Sequence, residues 1–510
     1  MRHSMFKVKS LFRLIFLCSW FQSPAQPVQI PDSLLKKSLE DFHAFLSLPN
    51  DAHYPQDLEV NMAWLEKAFA KRNFLVRRLP TRGIDLLFAE KINNKNHPTI
   101  LFYLQVDGQP VDPTRWQQAT PWTPTLKSLQ DGEWNTIPWA QLYDKPNPDW
   151  RIFARSASDA KGPIAAFLTA LDLMQSKGKQ ANYNIKVIMD SEEELGSPNI
   201  TEAVQIHREI LKADAMVILD GPMHISNKPT LAYGARGIIS FSLTAYGPLV
   251  NVHSGHYGNY VPNPVFTLAR LLAGMKDERG KVLIPGFYEG INLDPVTREI
   301  LSGTPDDLPA LHRDLGFKTP DQVGANLQEA IQYPSLNIDG IRAGYVGAQA
   351  RTIIPDLATA AMDIRLVKET SGENMIRLLK NHILALGFTL LDHEPNLEER
   401  RTYDKIISLR YQISYEAFRT ELNDPLGIFL TKALIHAHGS KPIQIRTHGG
   451  SIPISPFVVK LGFPAIAVPV VNYDNNQHSE NENIRFGNYL DGIKSYYSIL
   501  TTGYDPLAGK

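Results

Sequence analysis

The chain has almost no cysteine, since Cys18 is the only one among its 510 residues. Cys18 lies in an N-terminal segment that we expect to be removed, so the mature chain is predicted to contain no disulfide. Stability must then come from hydrophobic cores. A lipid anchor on Cys18 is not expected, because Leu17 occupies the preceding position where a small residue would be needed.

Net charge is also nearly absent, at -1 for the whole chain at pH 7. This balance excludes the strongly basic surface typical of proteins that bind nucleic acid or anionic membranes. No apolar run after the N-terminal segment is long enough to span a bilayer. With 43% hydrophobic and 21% charged residues, the composition is that of a globular protein, and the length predicts two domains.

The N-terminal segment has the features of a secretory signal. Arg2, Lys7 and Lys9 precede an apolar run over residues 11–21, and small residues follow up to Ala25. The run is too short to span a bilayer comfortably, and Arg13 interrupts it. We therefore interpret residues 1–26 as a signal peptide and expect an exported protein, periplasmic or secreted, with no membrane contact after cleavage.

Short apolar runs alternate with amphipathic helical runs along much of the mature chain. The strand candidates are 99–106, 185–189, 215–219 and 465–471, and the helical runs include 161–178 and 201–211, with a further helical region at 31–74. This alternation predicts an α/β sheet covered by helices on both faces. The tryptophan-rich segment 111–152 has few regular signals and is predicted to be a long surface loop.

A different pattern begins near residue 231. Residues 238–245 and 360–366 alternate apolar and polar side chains, as strands with one solvated face do, and helical runs lie at 264–275 and 373–386. We predict a smaller α+β domain over 231–440, inserted into a first domain formed by 27–230 and 441–510.

Acidic residues follow the predicted strands of the first domain. Asp107, the pair Glu193-Glu194 and Asp220 each come after one strand, and His478 follows another. The carboxyl ends of strands in an open α/β sheet border the ligand cleft. Asp159 lies at the start of helical run 161–178, where on its own it is most simply an N-cap. So many carboxylates in one cleft require a cation, so the sequence predicts a metal site.

Four motifs contain these residues. They are Gln105-Val106-Asp107-Gly108-Gln109-Pro110-Val111-Asp112, Asp159-Ala160-Lys161-Gly162, Glu193-Glu194 before Gly196-Ser197, and His478-Ser479-Glu480-Asn481-Glu482. Together they resemble the motifs of the zinc-dependent exopeptidase and deacylase family that includes carnosine dipeptidase, glutamate carboxypeptidase, aminoacylase and succinyl-diaminopimelate desuccinylase. The resemblance covers nearly all of the mature chain. It implies a catalytic domain with a mixed, mainly parallel sheet and an inserted α+β lid and dimerisation domain.

The resemblance also implies an activity. It is that of a metallopeptidase or amidohydrolase that cleaves a peptide or N-acyl amide bond next to a free carboxylate, with metal-bound water as nucleophile. Glu193 matches the general base, and Asp107 matches a residue that orients a metal ligand. The metal ligands implied, for one or two Zn²⁺ ions, are Asp159, Glu194, Asp220 and His478.

Further matches lie in the inserted domain and in a glycine loop. His253, in His253-Ser254-Gly255, resembles a histidine that reaches the active site of the partner subunit in a homodimer. The resemblance implies that Arg365 and Thr352 hold a substrate carboxylate, and that Gly450 and Ser451 bind substrate in a glycine loop lining the same pocket. The implied substrates are small peptides or N-acyl amino acids.

Gln105 departs from this pattern, because the family has a metal-binding histidine at its position. An amide oxygen is a weaker zinc ligand than imidazole. A second site of Gln105, Asp159 and Asp220 would offer only oxygen atoms, which suit Mn²⁺ or Mg²⁺ better than zinc. Three interpretations stay open: a two-metal hydrolase with a relaxed second site, a weak one-metal hydrolase whose second site is empty, and a non-catalytic binding protein.

Overall fold

The computed structural model describes residues 28–508. The segment interpreted as a signal peptide, with Cys18, lies outside the described residues. Within residues 28–508, no helix combines the length and the apolarity that crossing a membrane requires. The helices are α1 Asp32–Leu46, α2 Pro55–Ala70, α3 Gln141–Asp144, α4 Lys161–Ser176, α5 Ile200–Ile206, α6 Arg208–Leu211, α7 Ser254–Tyr257, α8 Pro264–Ala273, α9 Pro295–Ser302, α10 Leu308–Leu315, α11 Leu327–Ala330, α12 Gly372–Ala385, α13 Leu397–Thr402, α14 Pro425–His438, α15 Ser455–Leu461 and α16 Phe486–Thr501.

The strands are mostly short. They are β1 Leu75–Leu79, β2 Leu86–Lys91, β3 Thr99–Gln105, β4 Thr125–Gln130, β5 Glu133–Thr136, β6 Arg151–Phe153, β7 Asn184–Asp190, β8 Ala215–Ile218, β9 Thr230–Ala232, β10 Gly234–Ala235, β11 Gly237–Tyr246, β12 Val252–His253, β13 Ser335–Ala343, β14 Ile353–Ile354, β15 Leu357–Leu366, β16 Thr389–Leu391, β17 Ile406–Tyr415, β18 Phe418–Arg419, β19 Ile443–Ile445, β20 Ala465–Ala467 and β21 Asn483–Arg485.

Eight strands form the large sheet, in the order β1-β2-β7-β3-β8-β20-β9-β19. Strand β3 pairs in parallel with β7 and β8, β20 pairs in parallel with β8, and β19 with β9. The pairs β1–β2, β2–β7 and β20–β9 are antiparallel. This confirms the predicted mixed, mainly parallel sheet.

Helices cover both faces of this sheet. Along β3, Phe102 and Leu104 point into a core shared with α1, α2, α4, α14 and α16, whereas Leu101 and Tyr103 point into a second core shared with α5 and α15. Because successive side chains of a strand point to opposite faces, a strand buried on both sides must be apolar throughout. The continuous apolar runs in the sequence have this cause.

A second sheet, in the order β13-β15-β11-β17-β16, forms the α+β part of the chain. Side chains from one face of β11 pack with α8 and α12 in a separate core, and residues between them on β11 are partly or fully exposed. The limits 231 and 440 of the inserted domain stay a prediction. Core membership favours narrower limits near 237 and 417, because β9 and α14 pack with the large sheet.

Segment 111–152 is not the long surface loop that we predicted. It contains β4, β5 and the first two residues of β6, and these strands belong to a four-stranded antiparallel sheet with the order β21-β6-β4-β5. The ring of Trp134 packs on edge against Phe153 with 5.4 Å between ring centroids, and the Arg151 guanidinium lies 4.8 Å from the Trp134 ring. The partner strand β21 lies far along the chain, so local sequence signals do not indicate this sheet.

Candidate metal centre

Three side chains from distant parts of the sequence meet at the carboxyl end of the large sheet. Asp159 precedes α4, Glu194 lies in a single 3-10 turn after β7, and His478 lies in the loop between β20 and β21. Each of them offers a ligand atom, and these atoms lie within 4.8 Å of one another. His478 Nε2 is 3.1 Å from Asp159 Oδ2 and 3.5 Å from Glu194 Oε2.

Asp107 fixes the turn that carries the two glutamates. Its Oδ1 accepts the backbone N–H of Glu193 at 3.1 Å, and its Oδ2 accepts the backbone N–H of Glu194 at 2.9 Å. The turn ends at Gly196, whose φ of +79° favours glycine, and the Gly196 carbonyl accepts a hydrogen bond from the Tyr415 hydroxyl at 2.6 Å. A buried carboxylate with both oxygens engaged therefore sets the direction of both glutamate side chains.

Asp159 is not an N-cap. Helix α4 follows Ala160, and no side chain caps its first turn. The Asp159 carboxylate instead contacts Gln105 and His478. The backbone N–H of Asp159 donates to Glu482 Oε1 at 2.9 Å. Glu482 is fully buried and pairs with Arg155. The interpretation from the isolated motif was wrong because the carboxylate is held by long-range partners rather than by its own helix.

The carboxylates in and around this group have too little positive charge nearby to balance them, and their pKa values are raised. Burial, together with the neighbouring Asp159, raises the pKa of Glu194 to about 10 and that of Asp220 to about 7. Burial, with Asp220 and Glu194 next in importance, also raises the pKa of Glu193. The hydrogen bond to Asp159 raises the pKa of His478. A bound cation would relieve this repulsion.

The residues present fit a divalent metal ion at Asp159, Glu194 and His478. One imidazole nitrogen and two carboxylate oxygens are a donor set that zinc takes with an open fourth position. Glu194 Oε1 is buried without a hydrogen-bond partner, and a cation bound by this carboxylate would satisfy it. The other oxygen, Oε2, accepts the amide of Gln109 at 2.7 Å, which holds the carboxylate in place.

Gln105 and Asp220 lie beside this group without belonging to it. The Gln105 side chain is 1% exposed and donates from Nε2 to Asp159 Oδ1 at 2.7 Å. Asp220 follows β8 and is near enough to Asp159 and His478 for their charges to affect its pKa. Among the described residues, however, the group of metal-ligand atoms within mutual reach consists of Asp159, Glu194 and His478.

The residues predicted to bind substrate fall into two separate groups. Arg365 on β15 donates from Nη1 to Ser451 Oγ at 3.0 Å, which joins the second sheet to the glycine loop containing Gly450. His253 lies on the ribbon of β12 and β14, where the backbone N–H of Ser254 donates to the Thr352 carbonyl at 3.0 Å. The His253 ring contacts its own turn, accepting the Gly255 N–H at 3.0 Å.

Sequence reasoning assigned no role to three residues that hold the site together. Gln109 and Glu482 lie inside the motifs described above, close in sequence to candidate site residues. This closeness was the one feature of the sequence that could have indicated their role. Tyr415 lies in a strand of the second sheet, and nothing in its sequence context indicates a bond to Gly196. Burial raises the pKa of Tyr415 to about 12, and the charge of Glu193 adds to this effect, so the hydroxyl remains a hydrogen-bond donor.

The chain is similar to several known proteins. The model of peptidase family M20/M25/M40 matches residues 107–502. The Cys-Gly metallodipeptidase dug1 of Schizosaccharomyces pombe is 29% identical over 416 residues, covering 80% of this chain and 80% of that protein. Human Beta-Ala-His dipeptidase is 25% identical over 430 residues, covering 81% and 76%. The crystal structure of the M20 family metallo-carboxypeptidase Sso-CP2 from Sulfolobus solfataricus superposes with a TM-score of 0.73 at 28% identity, covering 92% of this chain and 99% of that one.

Proposed function

Because the chain belongs to peptidase family M20/M25/M40 and is a metal-dependent hydrolase of the dipeptidase or carboxypeptidase type, we propose that it is a zinc dipeptidase with Glu193 as general base. The observation that carries this proposal is the pair of hydrogen bonds that the Asp107 carboxylate accepts from the backbone N–H groups of Glu193 and Glu194. These bonds fix the backbone of the two adjacent glutamates that we propose as base and as ligand.

We assign the metal to Asp159, Glu194 and His478. When bound there, a divalent cation would supply Lewis-acid activation of water and of the scissile carbonyl. Glu193 precedes Glu194 in the same turn, and among the described residues its carboxylate takes part in no side-chain hydrogen bond or ion pair. Its carboxylate takes a proton from the attacking water and delivers it to the leaving amine.

Arg365 and Ser451 are proposed to bind the free carboxylate of the substrate. The planar guanidinium matches a carboxylate with two parallel hydrogen bonds, and the Ser451 hydroxyl is already within 3.0 Å of Nη1. Asp363 lies 3.3 Å from Arg365 Nε and orients the side chain from the opposite end. Relatives named for Cys-Gly and β-Ala-His cleavage support a dipeptide as substrate.

We also propose that the protein acts as a homodimer and is exported. Within one chain, the His253 ring contacts its own turn and not Asp159, Glu194 or His478. A role of His253 in catalysis therefore requires a second copy of the chain, which supports the dimer. Mixing His253→Ala with Glu193→Gln should then restore part of the activity, because one mixed site has both side chains. Failure to restore any activity while mixed dimers form would contradict a role in trans.

Export rests on the N-terminal pattern and is tested by fractionation and by determining the mature N-terminus.

The activity is tested with metal-stripped protein reloaded with zinc. Cys-Gly and β-Ala-His are compared with the same dipeptides carrying C-terminal amides, with hydrolysis followed by amine release. We expect zinc-dependent turnover of the free dipeptides and a much higher KM for the amides. Saturable binding without turnover at any pH would favour the non-catalytic alternative instead.

A further inference from the structure

The two carboxylate oxygens of Asp159 have different partners. Oδ2 faces the metal group and lies 3.1 Å from His478 Nε2. Oδ1 accepts a hydrogen bond from the Gln105 amide at 2.7 Å. A carboxylate that bridges two cations must offer an oxygen to each, but here the second oxygen is directed at an N–H donor.

The amide cannot be replaced easily by a cation. The Gln105 Nε2 group donates hydrogen bonds and has no lone pair for a metal. Gln105 is the last residue of β3, whose backbone is paired with β7 and β8 on its two sides, and its side chain is buried. Asp159 can therefore offer Oδ2, beside His478, to a metal, whereas Oδ1 is engaged with the buried Gln105 donor.

Too few other ligands surround the Gln105 side of Asp159. Asp220 lies near Asp159, but among the described residues its carboxylate is outside the set of ligand atoms within mutual reach, whereas a protein zinc site takes at least three protein ligands. Rotation of the Gln105 amide would bring its oxygen to Asp159 Oδ1, two acceptors in close contact, which is tolerable only with a cation between them. In the present orientation Gln105 Oε1 is buried without a hydrogen-bond partner. A rotated amide, with this oxygen facing Asp159, would be the structural sign of a second ion.

We propose that this chain binds a single cation, at Asp159, Glu194 and His478, and that the Gln105 amide takes the place of a second cation by donating to Asp159. The proposal rests on the proposed function only for the position of the metal site. In this proposal, the Gln105 amide holds the Asp159 carboxylate by a hydrogen bond and partly offsets its negative charge, and it does not bind metal.

The test measures metal content rather than activity. Metal-stripped native protein, Gln105→His and the control Gln444→His are titrated with Zn²⁺ and, separately, with Mn²⁺, and bound metal is determined by elemental analysis. Gln444 is a half-buried glutamine on β19 at the edge of the large sheet, so the control adds an imidazole away from the metal group. Electron paramagnetic resonance of the Mn²⁺ samples then distinguishes isolated ions from coupled pairs.

We expect one equivalent and an isolated-ion spectrum for the native protein and for Gln444→His, and two equivalents with a coupled spectrum for Gln105→His. Two equivalents in the native protein would overturn the proposal, because Gln105 would then be a ligand. One equivalent in Gln105→His as well would overturn the part assigned to Gln105. No bound metal in the native protein would contradict the proposed function itself. One equivalent without dipeptide turnover would contradict that function and leave the stoichiometry standing.

Discussion

Glu482 accepts the backbone N–H of Asp159 at 2.9 Å, and this bond joins the loop that carries His478 to the loop that carries Asp159. The same carboxylate accepts the backbone N–H groups of Ser156 and Ser158 and pairs with Arg155, with none of its surface exposed. The two loops that carry the proposed ligands Asp159 and His478 are more than three hundred residues apart in sequence and are thus held together by one buried carboxylate.

We predict that Glu482→Gln destabilises the protein and weakens zinc binding. The amide would present a donor to backbone donors or to Arg155, and loss of one partner of a buried ion pair costs about 3–5 kcal/mol. Glu480→Gln, in the same loop, is the matched control. It pairs with the largely exposed Arg115, so its loss should cost about 1 kcal/mol or less. Denaturant unfolding with and without zinc measures both, and equal effects in the two variants would contradict the anchoring role.

Glu193→Gln should lower kcat by on the order of 10²–10⁴ while zinc content stays unchanged, because general base catalysis is lost without loss of a ligand. Glu192→Gln is the control. Glu192 is the preceding residue, and its side chain accepts the Ile84 N–H and the Asn199 amide rather than facing the metal group. Zinc content, circular dichroism and turnover are compared. Full activity in Glu193→Gln would exclude it as the base.

The sequence predicts the large sheet well because its strands are buried on both faces. The runs at 99–106 and 185–189 correspond to β3 and β7 within one residue at each end, and the helical run at 161–178 corresponds to α4. The run at 465–471 yields only the short β20, although the Val468 N–H still donates to the Ile218 carbonyl and Val471 forms an isolated bridge with Pro222. Apolar content thus indicates burial more reliably than it indicates strand length.

The sequence indicated which residues form the candidate site, but not how their side chains are arranged. Chain order and strand ends indicated that Asp159, Glu194 and His478 would converge. The sequence could not show that Asp220 would lie beside the ligand group, or that Gln105 would turn its amide toward Asp159. Both depend on side-chain directions at the sheet edge, which are set by packing between elements far apart in sequence.

In the metal-free protein, we predict that stability falls as pH rises from about 4 to about 7. Asp220 has a folded pKa of about 7 against an ordinary value of 3.8, so between these values the folded state binds more protons than the unfolded state. The free energy of unfolding then decreases with pH. Thermal unfolding of native protein and Asp220→Asn across this range measures the effect. The variant should show the smaller slope, and equal slopes would contradict the assignment to Asp220.

Arg365→Lys should raise KM for dipeptides with a free carboxylate by about tenfold or more, with a smaller change in kcat. Lysine offers a point charge in place of the planar fork, so it loses the paired hydrogen bonds and the contact with Ser451 Oγ. Dipeptide amides lack the carboxylate, so their KM should change little. Arg410→Lys is the matched control, because Arg410 is exposed on β17 of the same sheet. A similar rise in KM for the amides would mean that Arg365 supports the fold of the pocket rather than recognising the carboxylate.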